Sequence, residues 1–400
     1  MLVRPRGLPE WVAAVAGALA LAGTGLLSPR DTLAAVARGN DVYLFLGGMM
    51  LLSEVARRAG LFDWVAAHAV RAARGSRLRL FALVYAACVA VTVVLSNDAT
   101  AVVLTPAVAA AVRRTRVPPL PYLYACAFVA NAASFVLPIS NPANLVVFAR
   151  DLPALGTWFA FFGLPSVAAI VATYAALYAC ARSQLAGTLT GEVAAPRLAR
   201  AGRIALAGIA ATAFALLVAA TLRAALGMTT ALGALGVFAC IAATDRRSVG
   251  RTLGGVSWSV IALVAGLFVL VAGVDRTGLL GFTRHAVASL GHEPKWFAIF
   301  AAGSASALLS NVTNNLPSGL LAGLTLASAP HAHALASAVA IGIDLGPNLS
   351  VTGSLATVLW LVALRREGIA VGTLAFLRVG AIVMPAALLP ALAGLYVTAR

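Results

Sequence analysis

The chain has 400 residues, 61% of them hydrophobic and 10% charged, with a mean hydropathy of +0.95. No soluble domain of this length carries so few charges, so the composition defines a polytopic membrane protein. The formal charge of +16 comes from arginines in short loops between apolar runs, which is how membrane topology is encoded, and this excludes nucleic acid as the partner.

Apolar runs fall at 11–27, 41–56, 80–112, 120–149, 155–180, 204–222, 228–243, 257–273, 295–328, 335–364 and 371–398. The first follows Arg4 and Arg6 with no small-residue cleavage site behind it. It is expected to stay as a first span, with the N-terminus cytoplasmic. Crossing the bilayer takes about 20 helical residues. The runs at 80–112 and 295–328 are too long for one crossing and short for two. Arg74, Arg77 and Arg79 precede the first of these, and Arg113, Arg114 and Arg116 follow it. Both ends therefore belong in the cytoplasm, and the simplest form is a re-entrant hairpin with Ser96 to Ala99 at its tip. Arg182, Arg197, Arg200 and Arg203 also fall inside, as do Arg246, Arg247 and Arg251, and Arg365 and Arg366. The second hairpin, flanked by Glu293, Lys295 and His331, falls outside. This topology puts 20 of the 29 basic residues in the cytoplasm and eight outside, a bias that a wrong reversal would scramble. Four cysteines, Cys88, Cys126, Cys180 and Cys240, sit in apolar runs at no metal-like spacing and read as small buried hydrophobes.

The two halves match. Arg58-Ala-Gly60-Leu61 resembles Arg276-Thr-Gly278-Leu279, and Ser96-Asn97 matches Ser310-Asn311. Ser140-Asn141-Pro142-Ala143-Asn144-Leu145 sits where Ser350-Val351-Thr352-Gly353-Ser354-Leu355 recurs. The expected fold is all-α, with two inverted repeats, each holding a re-entrant helical hairpin and a broken transmembrane helix. The first repeat covers 1–182, with its hairpin at 80–113 and its broken helix at 120–149. A polar cytoplasmic linker spans 183–203. The second repeat covers 204–400, with its hairpin at 295–328 and its broken helix at 335–364. The extra span at 204–222 supplies the odd crossing that inverts the second half. A mobile unit moving against a scaffold, an elevator-type transporter, is the expected mode of action.

Four polar clusters lie at membrane depth. The hairpin tips bring Ser96, Asn97, Asp98 and Thr100, and Ser310, Asn311, Thr313, Asn314 and Asn315. The broken helices bring Ser140, Asn141 and Asn144, and Asp344, Asn348, Ser350, Thr352 and Ser354. Pro106, Pro138, Pro142, Pro317 and Pro347 accompany them, with Gly346 and Gly353. These residues break helices, which frees backbone groups for a ligand. Asn and Ser supply donors and acceptors without charge, and no Lys or Arg joins them. That leans toward a neutral polar solute or a small cation, although a helix N-terminus alone can hold an anion. The competing structural account is that these groups cap broken helices and bridge spans. Asp98 and Asp344 are the candidate proton carriers, and Asp98 ranks first because it touches a tip. Glu54 reads as an ion pair with Arg57 and Arg58, and Asp275 as a surface pair with Arg276. His331 and His333 read as solvated loop residues rather than a metal pair, and no metal site is expected.

At this point four strings resemble a known family, the arsenite and antimonite efflux permeases of the ArsB type, within the wider ion-transporter superfamily. They are Ser96 to Pro106, Asn131 to Leu145, Ser310 to Pro317 and Asp344 to Trp360. Asn-Pro-Ala-Asn-Leu and Gly-Ser-Leu-Ala-Thr-Val-Leu-Trp are the most specific of the matched sequences. The resemblance runs from Asp41 to Arg400, with one departure: Asn348-Leu349-Ser350-Val351 stands where many relatives have a basic residue followed by Leu/Ile-Thr-Pro.

The resemblance implies a transporter in the cytoplasmic (inner) membrane that exports trivalent arsenite and antimonite against proton entry and confers metalloid resistance. The polar clusters at the tips and broken helices supply the expected substrate contacts: Ser96, Asn97, Thr100, Ser140, Asn141, Asn144, Ser310, Asn311, Asn314, Asn315, Asn348, Ser350, Thr352 and Ser354. Some members dock a soluble arsenite-stimulated ATPase, and a homodimer is left open. The chain carries no Walker A string and no cofactor motif, so it is not expected to be an enzyme. The rival readings are a sodium–proton or other ion antiporter of the same superfamily, and a non-transporting membrane scaffold or membrane enzyme.

Overall fold

The computed structural model describes residues 9–149, 151–190, 197–245, 248–326 and 333–399. Arg4, Arg6, Arg246, Arg247 and His331, used above, lie outside these residues. Among the described residues every regular element is helical, and one isolated antiparallel bridge joins Ser76 to Thr188.

The N-terminal span is shorter than its apolar run. α1 (Glu10–Gly23) has 14 residues, a rise of about 21 Å against a hydrocarbon core of about 30 Å. Gly25, at φ 77°, ends it in a left-handed turn that an L-residue disfavours. Ser28 then caps α2 (Pro29–Ala37), its hydroxyl accepting from the Asp31 N–H at 3.1 Å, and Leu27 is buried by the reversal. Asp31 reaches Arg276, while Asp275 pairs with Arg284 at 3.5 Å. Successive helical residues point in different directions, which is why Asp275 and Arg276 do not form the pair read from the sequence. The Ser28 hydroxyl, with Arg276 beside it, holds the Asp31 carboxyl below its usual range.

One order of elements then occurs twice. The first copy is α3 (Asn40–Arg58), α4 (Leu61–Ala72), α5 (Arg77–Val94), α6 (Thr105–Arg113), α7 (Leu120–Ala132), α8 (Pro142–Val147) and α9 (Leu155–Leu185). Three helices follow: α10 (Arg200–Thr221), α11 (Leu226–Thr244) and α12 (Ser248–Gly255). The second copy is α13 (Ser259–Arg276), α14 (Leu279–Leu290), α15 (Lys295–Thr313), α16 (Asn315–Leu326), α17 (His333–Leu345), α18 (Leu355–Arg366) and α19 (Thr373–Thr398). In each copy a left-handed glycine, Gly60 or Gly278, opens a 12-residue helix. A helical hairpin, an interrupted helix and a long closing helix follow in both. Among the described residues seven stretches are long and apolar enough to cross a membrane: α5, α9, α10, α11, Val249–Arg276, α15 and α19. Their number and length are those of a multi-pass membrane protein.

The closing helices α9 and α19 pack along one another, as do α5 with α7 and α15 with α17. A Cβ at Gly342 or Gly346 would collide with backbone carbonyls of α15, so glycine sets how closely the end of α17 approaches it. Elsewhere α1 packs on α13, and α3 on α11. Glu54 is buried and binds Arg57 and Arg58 at 2.6 Å each, the ion pair read from the sequence. Cys88 and Cys126 are buried with their sulfurs 3.5 Å apart, but Cys180 and Cys240 are exposed on outer faces of α9 and α11. On an apolar helix facing lipid a thiol needs no burial, which is why only half of the cysteines are core residues. His333 is the first residue of α17, with its ring 6.0 Å from that of Phe161, rather than a loop residue.

Candidate functional site

Each interrupted helix is broken by residues that cannot continue it. α7 stops at Ala132, and Pro138 opens a single 3-10 turn, Pro138–Ser140. Asn141 is extended at φ −146° and caps α8, its Oδ1 accepting from the Ala143 N–H at 3.0 Å, with Pro142 at the first helical position. In the second copy Gly346 and Pro347 end α17 in a 3-10 turn, Gly346–Asn348, and a second turn spans Val351–Gly353. Ser354, at φ −143°, caps α18 by accepting from the Ala356 N–H at 3.1 Å. Asn141 and Ser354 are therefore the same device at equivalent places.

The two breaks meet. Asn141 Nδ2 donates to Asp344 Oδ1 at 2.6 Å, and Asn131 Nδ2 donates to Asn348 Oδ1 at 2.9 Å. These bonds join residues 203 and 217 positions apart. Asn144 Nδ2 donates to the Ser134 carbonyl at 2.8 Å, and Asn141 Nδ2 lies 3.5 Å from Ser134 Oγ. Asn131, Asn141, Asn144, Asp344 and Asn348 are each 1% exposed or less. Of these, Asn141, Asn144, Asp344 and Asn348 are sequence candidates. Asn131 and Ser134 were missed because no proline or glycine flags them. Asn131 did leave a signal, as the only amide side chain in the otherwise apolar or aromatic α7.

The hairpin tips are tied to the break of their own half. Ser140 Oγ donates to the Val93 carbonyl at 3.2 Å, beside the first tip. Within that tip, Ser96 Oγ accepts from the Ala99 N–H at 3.2 Å and Asn97 Oδ1 from the Asp98 N–H at 2.9 Å. Thr100 pairs with Thr92 at 2.8 Å. The tip continues as a π-turn, Ala99–Leu104, into α6. Pro106 has no N–H for the ordinary ladder, and the wider turn accommodates it. Asp98 is partly buried, and its carboxyl has no hydrogen-bond or ion-pair partner among the described residues.

At the second tip, Asn311 Nδ2 donates to the Ala307 and Gly346 carbonyls at 2.8 and 2.9 Å, and its Oδ1 accepts from Ser350 Oγ at 2.6 Å. Thr352 Oγ1 donates to the Asn311 carbonyl at 3.1 Å, and Asn314 Nδ2 to the Thr352 carbonyl at 3.3 Å. Ser310 Oγ donates to the Ala307 carbonyl at 2.8 Å, and Thr313 pairs with Ser318 at 2.6 Å. Asn315 is buried at the start of α16 with Oδ1 unpartnered. A cleft of about 330 Å³ reaches this tip, running from Asn314 and Thr352 past Leu263 and Leu267 to Arg365 and Glu10.

Two interrupted helices that meet in a buried polar crossing, with a hairpin tip on each break, are the architecture of a membrane transporter. The chain belongs to the citrate transporter family (CitMHS), whose profile matches residues 1–342, and within it groups with the arsenical pump membrane proteins. It is 30% identical to the arsenical pump membrane protein of Yersinia enterocolitica, over 98% of this chain and 94% of that one. It is 28% identical to the arsenical pump membrane protein of Escherichia coli (strain K12), again over 98% and 94%. The fold is that of the Alcanivorax borkumensis YdaH transporter, at 18% identity and a TM-score of 0.59, over 92% of this chain and 86% of that one. Family and relatives are transporters, not enzymes.

Proposed function

We propose that this protein exports trivalent arsenite and antimonite across the cytoplasmic membrane in exchange for protons. The observation that carries the reading is the Asn141–Asp344 bond at the crossing, in a chain whose relatives are named arsenical pumps. Arsenous acid is uncharged near neutral pH and presents hydroxyls, which suit amide and carboxyl partners. The crossing brings a carboxyl and no basic side chain, so a multiply charged anion such as citrate would meet repulsion there.

Asp344 is preferred to Asp98 as the proton carrier, because it sits in the crossing while Asp98 stays at its own tip. A proton on Asp344 turns an acceptor oxygen into a donor, so proton and arsenous acid compete for one group. In this scheme the α5–α6 hairpin re-enters from the cytoplasm and the α15–α16 hairpin from outside, within two inverted repeats. Hairpins, interrupted helices and closing helices form the moving unit, and α1, α3, α10, α11 and α13 the scaffold. The cleft at Arg365 and Glu10 is the cytoplasmic approach.

Inverted membrane vesicles test the reading. Arsenite, measured by mass spectrometry, should accumulate when the lumen is acidified and stop when a protonophore is added. Accumulation that follows a sodium gradient and ignores the proton gradient would establish the ion-antiporter reading instead.

A further inference from the structure

Two thiols lie side by side outside the crossing, and the transport scheme does not use them. Cys88 on α5 and Cys126 on α7 are 38 positions apart in the chain, with their sulfurs 3.5 Å apart. Both are fully buried, and neither is in a disulfide. Their surroundings hold them in place. The starts of α5 and α7 are tied where Tyr122 Oη donates to the Arg77 carbonyl at 3.3 Å. Cys88 Sγ donates to Cys126 Sγ, which donates in turn to the Tyr122 carbonyl at 3.4 Å. The Cys88 carbonyl accepts from Thr100 Oγ1 at 3.4 Å, which holds this turn of α5 against the first hairpin's second arm. Cys180 and Cys240, exposed on outer helix faces, form no such pair among the described residues. A single buried cysteine is ordinarily a small hydrophobe. Two on different helices with their sulfurs in contact are a dithiol.

A dithiol selects its ligand. Among the described residues no third His, Cys, Asp or Glu joins the two thiols, so a tetrahedral metal such as zinc is two ligands short. Trivalent arsenic is three-coordinate and pyramidal, with a lone pair in the fourth direction. Two sulfurs and one group of its own complete it, and soft sulfur suits it. We infer that Cys88 and Cys126 form a chelating site for trivalent arsenicals, separate from the crossing. In the binding step two As–OH bonds and two S–H bonds break, two As–S bonds form and two waters leave; arsenic stays trivalent. Each thiol proton departs on an arsenic hydroxyl as water, so a site inside apolar helices never holds a net charge. One arsenic atom bridging two sulfurs keeps them near contact, so the 3.5 Å pair needs little rearrangement. After the first As–S bond the second closes within the molecule, a gain of about 10²–10⁴ over a single thiol. Burial excludes charged reagents and leaves entry to small neutral ones. The proposal takes its ligand from the arsenical reading above and its site from the sulfur geometry.

The experiment treats the purified full-length protein, reduced and freed of reductant, with phenylarsine oxide, a neutral trivalent arsenical. A first arm needs no variant to fold. Wild-type protein is unfolded after treatment, its remaining thiols are alkylated, and its peptides are mapped by mass spectrometry. Cys88 and Cys126 should be protected together, and protected still after an excess of a monothiol. An equimolar dithiol, 2,3-dimercaptopropanol, should expose both. A second arm uses the Cys180→Ala, Cys240→Ala double variant, in which Cys88 and Cys126 are the only thiols left. Its intact mass should show one phenylarsenic group per chain. Adding Cys88→Ala or Cys126→Ala should weaken retention against monothiol about 100-fold. No adduct on the wild-type protein, an adduct that a monothiol strips, or protection of one of the two cysteines without the other would overturn the assignment. So would protection of the pair before any arsenical is added, which marks a disulfide. The outcomes separate from those of the export reading. If wild-type vesicles carry arsenite and no adduct forms, the site is wrong and the arsenical reading stands. If the adduct forms and vesicles carry no arsenite, the site stands and the export reading fails.

Discussion

Asn141 does two separable jobs, and that makes it the sharpest place to perturb the protein. Its Oδ1 caps α8 through the Ala143 N–H, and its Nδ2 donates to Asp344 across the crossing. Losing an N-cap costs about 1 kcal/mol. Losing a hydrogen bond to a carboxyl group costs about 1.5–3 kcal/mol, because the acceptor left behind is buried. Asn141→Ala should therefore destabilise by about 2.5–4 kcal/mol, the sum of the two effects. Asn141→Ser keeps a side-chain oxygen that can accept from Ala143, so it should lose only the second part and remain about 1 kcal/mol more stable than the alanine variant. Reversible unfolding of the purified protein in mixed micelles gives both values, and a double-mutant cycle with Asp344→Ala isolates the bond. Serine as damaging as alanine, or a coupling energy below about 0.5 kcal/mol, would refute this division of labour.

Three further outcomes are expected. Single cysteines placed at Arg77 and Arg114 should label from the same, cytoplasmic, side of the membrane; opposite sidedness would remove the re-entrant hairpin. Trp360 is fully buried and donates to the Leu123 carbonyl at 3.1 Å, tying α18 to α7. Trp360→Ala should cost about 3–5 kcal/mol, read as a lower unfolding midpoint and lower protein level, and Trp360→Phe markedly less. In vesicles Asp344→Asn should abolish gradient-driven arsenite efflux while exchange down an arsenite gradient persists. The same uncoupling in Asp98→Asn with Asp344→Asn unaffected would move the coupling role to the first tip.

What the sequence made legible was the positions of the breaks. Proline removes an N–H, so Pro138, Pro142 and Pro347, each close to a further polar or glycine residue, mark the breaks, whereas Pro165, Pro385 and Pro390 in apolar runs sit inside continuous helices. Arginine clusters at Arg74, Arg77 and Arg79 and at Arg113, Arg114 and Arg116 bracket the first hairpin, α5 and α6. The length of α1 was not legible. Residues 11–27 are almost wholly apolar, and only the left-handed turn at Gly25 shows where the helix ends. Nor was the partner of Arg276, since Asp31 is 245 residues away and nothing local points to it.

The harder illegibility lies inside the crossing. A sequence gives the number of amide side chains but not which end of each is spent. Asn97, Asn141 and Asn311 look equivalent to Asn131, Asn144 and Asn348 when counted as donors and acceptors. Position separates them. The first three have both a backbone or hydroxyl donor within reach of Oδ1 and a role in shaping their own turn. The others are pinned at one end by a single bond from a neighbouring element or carbonyl, and their free ends are left at the crossing. A residue that breaks no helix and caps no turn keeps its hydrogen-bonding capacity for something else. Asn131 is such a residue, and it is the one the sequence pattern passed over. The residues easiest to see, beside proline and glycine, are those already occupied in making the break. The residues with capacity left for a ligand are the quiet polar ones in otherwise apolar helix, and in a membrane protein each of those is worth a mutation before the conspicuous ones are tried.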